Sequence, residues 1–372
     1  MSDWINIKLG DFVYFQRGHD LPKTKMVIGH IPVAGSNGVI GYHHKSTTEG
    51  PGITIGRSGN IGTPHYYQDN FWAHNTVLYI KEFNNNNPRF VYYFLKNIDL
   101  SIFNTGSAVP SINRNHIHSL QIKVPFLDEQ KAIASVLSSL DNKIDLLHRQ
   151  NKTLESMAET LFRQWFMEEA QEDWEEVSLQ DVCIRITDGS HASPRSLDSG
   201  YAMASVKDMA TWGINLNTCR KISLEDYNGL VESDCKAIKG DILIAKDGSY
   251  LKHVILLNED IDAVLLSSIA MIRPNGKYDP ILLTTYLKLK STKEEMENIV
   301  TGAVIPRIVL KDFRSFTVKL PPQNLQQQAS KQIRPLYEKC WYNCRQIKSL
   351  ESLRDTLLPK LMSGDVRVKY EQ

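Results

Sequence analysis

Apolar residues recur every three and four positions through two long stretches, 126–166 and 322–362. In the first, Ile133, Leu137, Leu140, Ile144, Leu147, Asn151, Leu154, Ala158, Leu161 and Trp165 trace the seam of a left-handed coiled coil. The same register returns 196 residues later as Ala329, Ile333, Leu336, Cys340, Asn343, Ile347, Leu350, Arg354, Leu357 and Leu361, without a gap. Each stretch predicts one helix of about 40 residues, or about 60 Å at 1.5 Å per residue. A lone helix cannot bury such a seam. Two in one chain, with a globular part between them, most simply pack antiparallel. Asn151 and Asn343 are the polar seam positions. They could face one another and fix the register, or each could meet solvent where the pair splays.

Outside the helices the period drops to two. Asp3-Trp4 with Ile7, Leu9 and Asp11 is repeated by Asp173-Trp174 with Val177, Leu179 and Asp181, and both read as an opening strand and turn. Residues 29–41 read as strand, turn, strand. Ile53-Thr54-Ile55-Gly56 is a strand entering a tight turn, with Gly56, Gly59 and Gly62 placed for positive φ or close backbone approach. Its counterpart runs from Asp241 to Tyr250, and both put a cation, Arg57 or Lys246, two residues before a glycine. Asn87-Pro88 and Asp279-Pro280 open matched helices, and Thr105-Gly106…Pro110 matches Thr301-Gly302…Pro306. Residues 112–124 and 308–320 close the two bodies. A self-match of this length makes the chain two copies of one unit, a globular body followed by a long helix. The boundaries are 1–125, 126–170, 171–320 and 321–372. The fold class is α+β, with two mixed α/β bodies, two antiparallel helices and an internal pseudo-two-fold. A circular arrangement follows, with the bodies at opposite ends of the rod and the tail 366–372 returning beside Asp3-Trp4.

The net charge of +1 announces no polyanion partner, so nucleic-acid contact must come from local basic patches or from another subunit. Five scattered cysteines include no Cys-x-x-Cys. Cys340 and Cys344, one helical turn apart, suit helix packing better than a zinc site. No signal-like start and no apolar run of about 20 residues is present, so a reducing cytoplasm and no membrane contact are expected.

Enzymatic signatures are missing. There is no phosphate loop, no His-Glu-x-x-His and no Gly-x-Ser-x-Gly. Asn87-Pro88-Arg89-Phe90 lacks the second proline of the Asn-Pro-Pro-Tyr motif of amino-methyltransferases and reads as a loop into a helix. His43, His44, His65, His74, His116 and His118 lack acidic partners at ligand spacing and read as surface and turn residues, not a metal site. Recognition remains. Arg57, Ser58, Asn60, Lys246, Ser249 and Tyr250 set cations, hydroxyls and amides on glycine turns. Arginine can bridge guanine O6/N7, asparagine can bridge adenine N6/N7, and lysine or serine can hold phosphates. The bland alternative, a hairpin with a solvated cation, stays open on spacing alone. His191, in Asp188-Gly189-Ser190-His191-Ala192-Ser193-Pro194, and the arginines Arg114 and Arg307 complete the candidates.

At these residues the chain resembles the DNA-specificity subunit of type I restriction–modification systems. The likeness rests on the 188–194 motif, on the Gly-Asp-Ile-Leu-Ile-x-Lys-Asp-Gly pattern from 240 to 248 and on Ile-Gly-Arg-Ser-Gly-Asn-Ile-Gly from 55 to 62. It also rests on Thr-Gly-x-x-x-Pro in both copies and on Leu-Leu-Pro-Lys-Leu-Met-Ser-Gly-Asp from 357 to 365. The second helix departs at its start, where Pro321-Pro322-Gln323-Asn324-Leu325-Gln326-Gln327 lacks the Glu129-Gln130 of the first. The resemblance implies two target-recognition domains that each read half of a bipartite double-stranded DNA site, spaced by the paired helices. It implies two docked modification subunits that supply S-adenosylmethionine chemistry on adenine N6. It further implies restriction/translocase subunits using ATP and Mg, and a chain that is itself non-catalytic and cofactor-free. A coiled-coil scaffold with protein-binding bodies is the other reading.

Overall fold

The structure is a computed structural model and describes residues 4–104, 110–169, 173–247, 252–297, 300–301 and 307–369. The chain folds as two units, one of 1–145 with 348–372, the other of 146–347. Both long helices therefore contribute to both units: Leu127–Arg163, which ends in a π turn at Gln164–Glu168, and Gln323–Ser363.

The first unit opens with Ile5–Lys8, paired antiparallel to Gln121–Val124, so its beginning and end share one ribbon. Its centre is a four-stranded antiparallel sheet of Tyr14–Arg17, Val77–Glu82, Gly52–Gly56 and Pro64–Tyr67, in that order. Beside it lies a three-stranded sheet in which Ile31–Gly35 pairs antiparallel with Gly38–His43 and parallel with Trp72–Ala73. The expected closing strand proves to be only Gln121–Val124. A short helix, Arg114–His118, capped by Asn113, precedes it. Apolar side chains of the sheet and of the helix Pro88–Lys96, among them Phe15, Ile53, Ile55, Phe90 and Phe94, bury against Ile133 and Leu137 of one long helix and Leu358 and Leu361 of the other. Burial of a side chain of this size stabilises by about 1.5–3 kcal/mol.

The second unit repeats this topology. Glu175–Ser178 pairs with Thr317–Leu320. A four-stranded sheet runs Cys183–Asp188, Ile269–Pro274, Ile242–Ala245, Val254–Leu256. A three-stranded sheet again joins one antiparallel and one parallel pair, Arg220–Ile222, Tyr201–Ala204 and Ala263–Leu265. This unit adds a helix, Leu224–Glu232, whose Tyr227 covers Met203, Ile222 and Val264 on the outer face of that sheet.

Within each unit the long helices run antiparallel. In the first, Arg354 Nη1 donates to Asp141 Oδ1 at 2.9 Å, and Arg367 near the tail forks onto the buried Glu129. Gly364, at a φ of +80°, packs beside the Trp4 ring, and the Arg367 guanidinium lies 5.8 Å from that ring's centroid. In the second unit Asn343 Nδ2 donates to Asn151 Oδ1 at 2.8 Å, so the two polar seam residues meet. Every seam position read from the sequence is buried or half-buried, including Leu140, Ile144, Leu147, Leu154, Leu161, Leu336, Ile347, Leu350 and Leu357. Near the end of the first helix the stripe drifts. Phe162 and Phe166 bury more fully than Leu161 and Trp165, because a helix of 3.6 residues per turn precesses off a strict heptad.

Gln326 corrects one expectation. The second helix keeps the glutamine of the first at the same register and loses only its glutamate. Gln130 Nε2 donates to Pro125 O and Asn86 Oδ1, and its Oε1 accepts from Asn87 N, at 2.8–2.9 Å. Gln326 Nε2 donates to Pro321 O and Lys277 O and its Oε1 accepts from Asp279 N, at 2.8–3.0 Å. Each glutamine ties its helix start to the loop that opens the unit's proline-led helix.

Candidate nucleic-acid interface

Arg57, Lys246 and His191 each follow a strand of a central sheet, Gly52–Gly56, Ile242–Ala245 and Cys183–Asp188 respectively. In the first unit the buried strand Gly52–Gly56 delivers Arg57, whose N–H donates to Thr76 O at 2.8 Å and whose carbonyl accepts from Ile112 N at 2.9 Å. The turn then folds back, Gly62 N donating to Gly56 O. A Cβ at Gly56 would stand 1.7 Å from Asn60 O, while Gly59 and Gly62 have φ of +81° and +78°, so the three glycines do the two jobs expected of them. Ser58 is half-buried, with its carbonyl accepting from the Ser36 hydroxyl at 2.7 Å. Asn60 is exposed, and the Thr63 hydroxyl donates to its amide oxygen at 3.3 Å. The Arg57 guanidinium is half-buried and donates to Asn75 O at 3.2 Å.

In the second unit Lys246 takes the same backbone place. Its N–H donates to Ser268 O at 2.9 Å and its carbonyl accepts from Ile308 N at 3.1 Å, which repeats the Arg57 frame bond for bond. The side chains differ. Lys246 Nζ lies 2.5 Å from Asp188 Oδ2, and these side chains are 8% and 12% exposed, so Lys246 points into the body. His191 reaches the same carboxylate at 3.3 Å from a ring that is 77% exposed. The loop from His191 to Gly200 is nearly all exposed. Asp241 of the Gly-Asp-Ile motif is buried and held by a two-pronged pair with Arg273, at 2.8 Å on both prongs, so its role is structural. That hydrogen-bonded carboxylate raises the Arg273 pKa.

Arg114 begins the short helix two residues beyond Ile112, and its guanidinium lies 5.8 Å from the Tyr14 ring centroid. Arg307 sits in the two-residue strand Arg307–Ile308, which pairs with Val300–Thr301. It matches Ser111 of the first copy, not Arg114. Ser249, Tyr250, the Arg307 side chain, Thr105-Gly106, Gly302 and Pro306 lie outside the described residues. Two histidines are not surface groups. His43 is buried and its Nδ1 accepts from Val27 N at 3.0 Å, and His118 Nε2 accepts from Phe15 N at 3.0 Å. Burial lowers the His118 pKa, and neighbouring Arg114 lowers it further, so the ring stays a neutral acceptor. Among the described residues no group of three or more His, Cys, Asp or Glu is placed to hold a metal ion, and no helix is long and apolar enough to cross a membrane.

Sequence reading missed Arg17-Gly18-His19-Asp20, the counterpart of Asp188-Gly189-Ser190-His191. Gly18 N donates to Val77 O and His19 N to Ala73 O, as Gly189 N donates to Ile269 O and Ser190 N to Leu265 O. A Cβ on Gly18 would lie 2.1 Å from His74 O, and one on Gly189 2.2 Å from Leu265 O. Both turns need glycine for the same close approach. The signal was available in the 170-residue spacing of the two opening Asp-Trp pairs, which carries Gly18 to within one residue of Gly189.

Comparison with known proteins gives a concordant result. A family model described as type I restriction modification DNA specificity domain matches residues 1–156 and 171–351. The type I restriction enzyme MjaIX specificity subunit of Methanocaldococcus jannaschii is 26% identical over 310 residues, covering 75% of this chain and 69% of that protein. A putative MjaX specificity subunit of the same organism is 25% identical over 393 residues, covering 97% of this chain and 84% of that protein. The crystal structure of a type I restriction–modification S subunit from M. genitalium aligns with a TM-score of 0.63 at 20% identity, covering 100% of this chain and 97% of that one, a likeness of fold.

Proposed function

The chain belongs to the type I restriction–modification DNA-specificity family, and we propose that its bodies 1–125 and 171–320 each read one half of a bipartite duplex site. As a specificity subunit it recognises DNA sequence within a restriction–modification complex and is not itself the catalyst. One observation supports the division of labour. Arg57 and Lys246 hang from the same hydrogen-bonded frame, yet the side chains around them differ. A conserved frame with exchanged side chains is what two readers of unlike half-sites require. The paired helices, each shared by both units, set the interval between the half-sites.

The reading assigns the remaining chemistry to partners in the cytoplasm. Two modification subunits bring S-adenosylmethionine and methylate adenine N6, and restriction/translocase subunits bring ATP and Mg. Near-neutral charge suits this chain if its partners supply much of the phosphate clamping. Exchange of residues 1–125 for the corresponding body of a relative tests the proposal through sequencing of methylated adenines in host DNA. One half of the methylated motif should change while the other half and the interval persist. A change in both halves, or in neither, would defeat the two-reader scheme.

A further inference from the structure

The repeated frame allows the two readers to be compared position by position, and their charges do not match. Where the second unit has Asp188 and Lys246, the first has Arg17 and Arg57, two cations in place of an ion pair. In the second unit the pair is closed, with Nζ 2.5 Å from the carboxylate and both side chains nearly buried. Equivalent positions in the first unit are therefore within reach of one another. The Arg17 side chain is 54% exposed, and its nearest carboxylate is the 71% exposed Asp20, at 3.5 Å. So exposed a pair contributes little and opens readily. Asp20 also accepts from Asn75 Nδ2, and Asn75 O accepts from Arg57 Nη1, so one polar chain joins the two guanidinium groups. Among the described residues no carboxylate lies in ion-pair range of Arg57.

We propose that Arg17 is a specificity-determining residue of the first reader, acting with Arg57 as a two-guanidinium clamp on a guanine-bearing step, while Asp188 and Lys246 close on each other and leave the second reader's contacts to His191 and its flanking loop. This rests on the two-reader scheme above. Guanidinium is the group whose planar fork matches guanine O6/N7, and the first unit keeps two of them open where the second has spent its cation internally. The readers thus differ in kind. The first is electrostatically open, and the second is internally neutralised.

The test selects duplexes from a randomised double-stranded pool with the full chain assembled with its modification subunits, then measures affinity for the selected duplex against salt. Wild type should recover a two-part motif; recovery of none would overturn the functional reading itself. Arg17→Ala should erase base preference at one half only, the half that Arg57→Ala also alters. It should weaken binding to the selected duplex about ten- to hundredfold, with the slope of log K against log salt nearly unchanged, because a base contact neutralises no phosphate. Arg17→Lys should not recover the base preference. A slope reduced by about 0.9 in Arg17→Ala, with a loss uniform across sequences and repaired by lysine, would make the contact a phosphate and overturn the specificity role. Arg17→Asp installs the second reader's carboxylate beside Arg57 and should cost more than Arg17→Ala, and equal losses would sink the clamp. Each Arg17 variant should unfold at the wild-type temperature, since Arg17 is exposed. A wild-type motif in Arg17→Ala would refute the proposal outright.

Discussion

Removing the Lys246 side chain strands the carboxylate of Asp188 in a body that leaves it 12% exposed. Breaking a buried pair from one side costs about 3–5 kcal/mol when the remaining charge has no other partner, and the exposed His191, 3.3 Å from the same carboxylate, should hold the loss toward the lower end of that range. Lys246→Ala should therefore lower the urea midpoint of the second unit well before any change in DNA reading is measured. Asp188→Asn with Lys246→Met should recover most of the loss. Arg57→Ala removes a half-buried side chain bonded to one carbonyl, so its stability should stay within about 1 kcal/mol of wild type while binding falls. If Lys246→Ala were as stable as Arg57→Ala, the buried-latch role would be wrong. Spacing placed these two cations at matched positions but could not separate their roles. The partner of Lys246 sits 58 residues away in sequence, and no local pattern announces a pairing across two strands. His43 and His118 escaped for the same reason, since their backbone partners, Val27 N and Phe15 N, lie 16 and 103 residues away in sequence. The cysteines behave as packing residues, and burial pushes the Cys340 thiol up to about 12, which leaves it protonated and slow to alkylate at neutral pH.

Elements were more legible than side-chain roles, because periodicity is local. The seam, the proline-led helices and the glycine turn all lie where period and turn chemistry put them. The short helices Arg114–His118 and Leu310–Arg314 were hidden inside stretches read as closing strands, since five residues cannot display a period. Gln326 shows how a substitution in one residue of a pair can mask conservation in the other. The lost glutamate drew the eye, while the retained glutamine carries the bonds. Gln326→Leu should deprive the Pro321 and Lys277 carbonyls and the Asp279 N–H of their partner. The Pro321 bond is fully buried and its loss costs about 1–3 kcal/mol, while the other two are part-buried and add less. Exposed Gln327→Leu, one position on, should stay within about 0.5 kcal/mol. Equal denaturant midpoints for the two variants would remove the helix-start lock from the account. The Asn151–Asn343 contact belongs at this scale too. A buried amide pair in an apolar seam costs stability and fixes register, so it holds the helices at one pairing among the several that heptad periodicity permits.

At the scale of the whole chain, the repeat explains how a single polypeptide can serve an asymmetric site. Duplicated frames preserve the ribbon of opening and closing strands, the two sheets and the glutamine locks, so either body can vary its exposed side chains without disturbing how it meets the helices. The added helix Leu224–Glu232 in the second unit and the charge exchange at Arg17 and Asp188 are changes of this kind. Because both long helices pass through both units, a change in their length should act on the interval between half-sites and on nothing else. Four residues inserted into each helix, at exposed positions opposite one another in the antiparallel pairing, add about 6 Å of rise. With base pairs about 3.4 Å apart, that corresponds to an interval longer by roughly two base pairs. Four residues is also close to one full turn, so the seam faces its partner again after the insertion. Methylated-adenine sequencing with the lengthened chain should return both half-sites unaltered, separated by the longer interval. An unchanged interval would mean that something other than the helices sets the spacing. Altered half-sites would mean that the helices shape the readers as well as separate them.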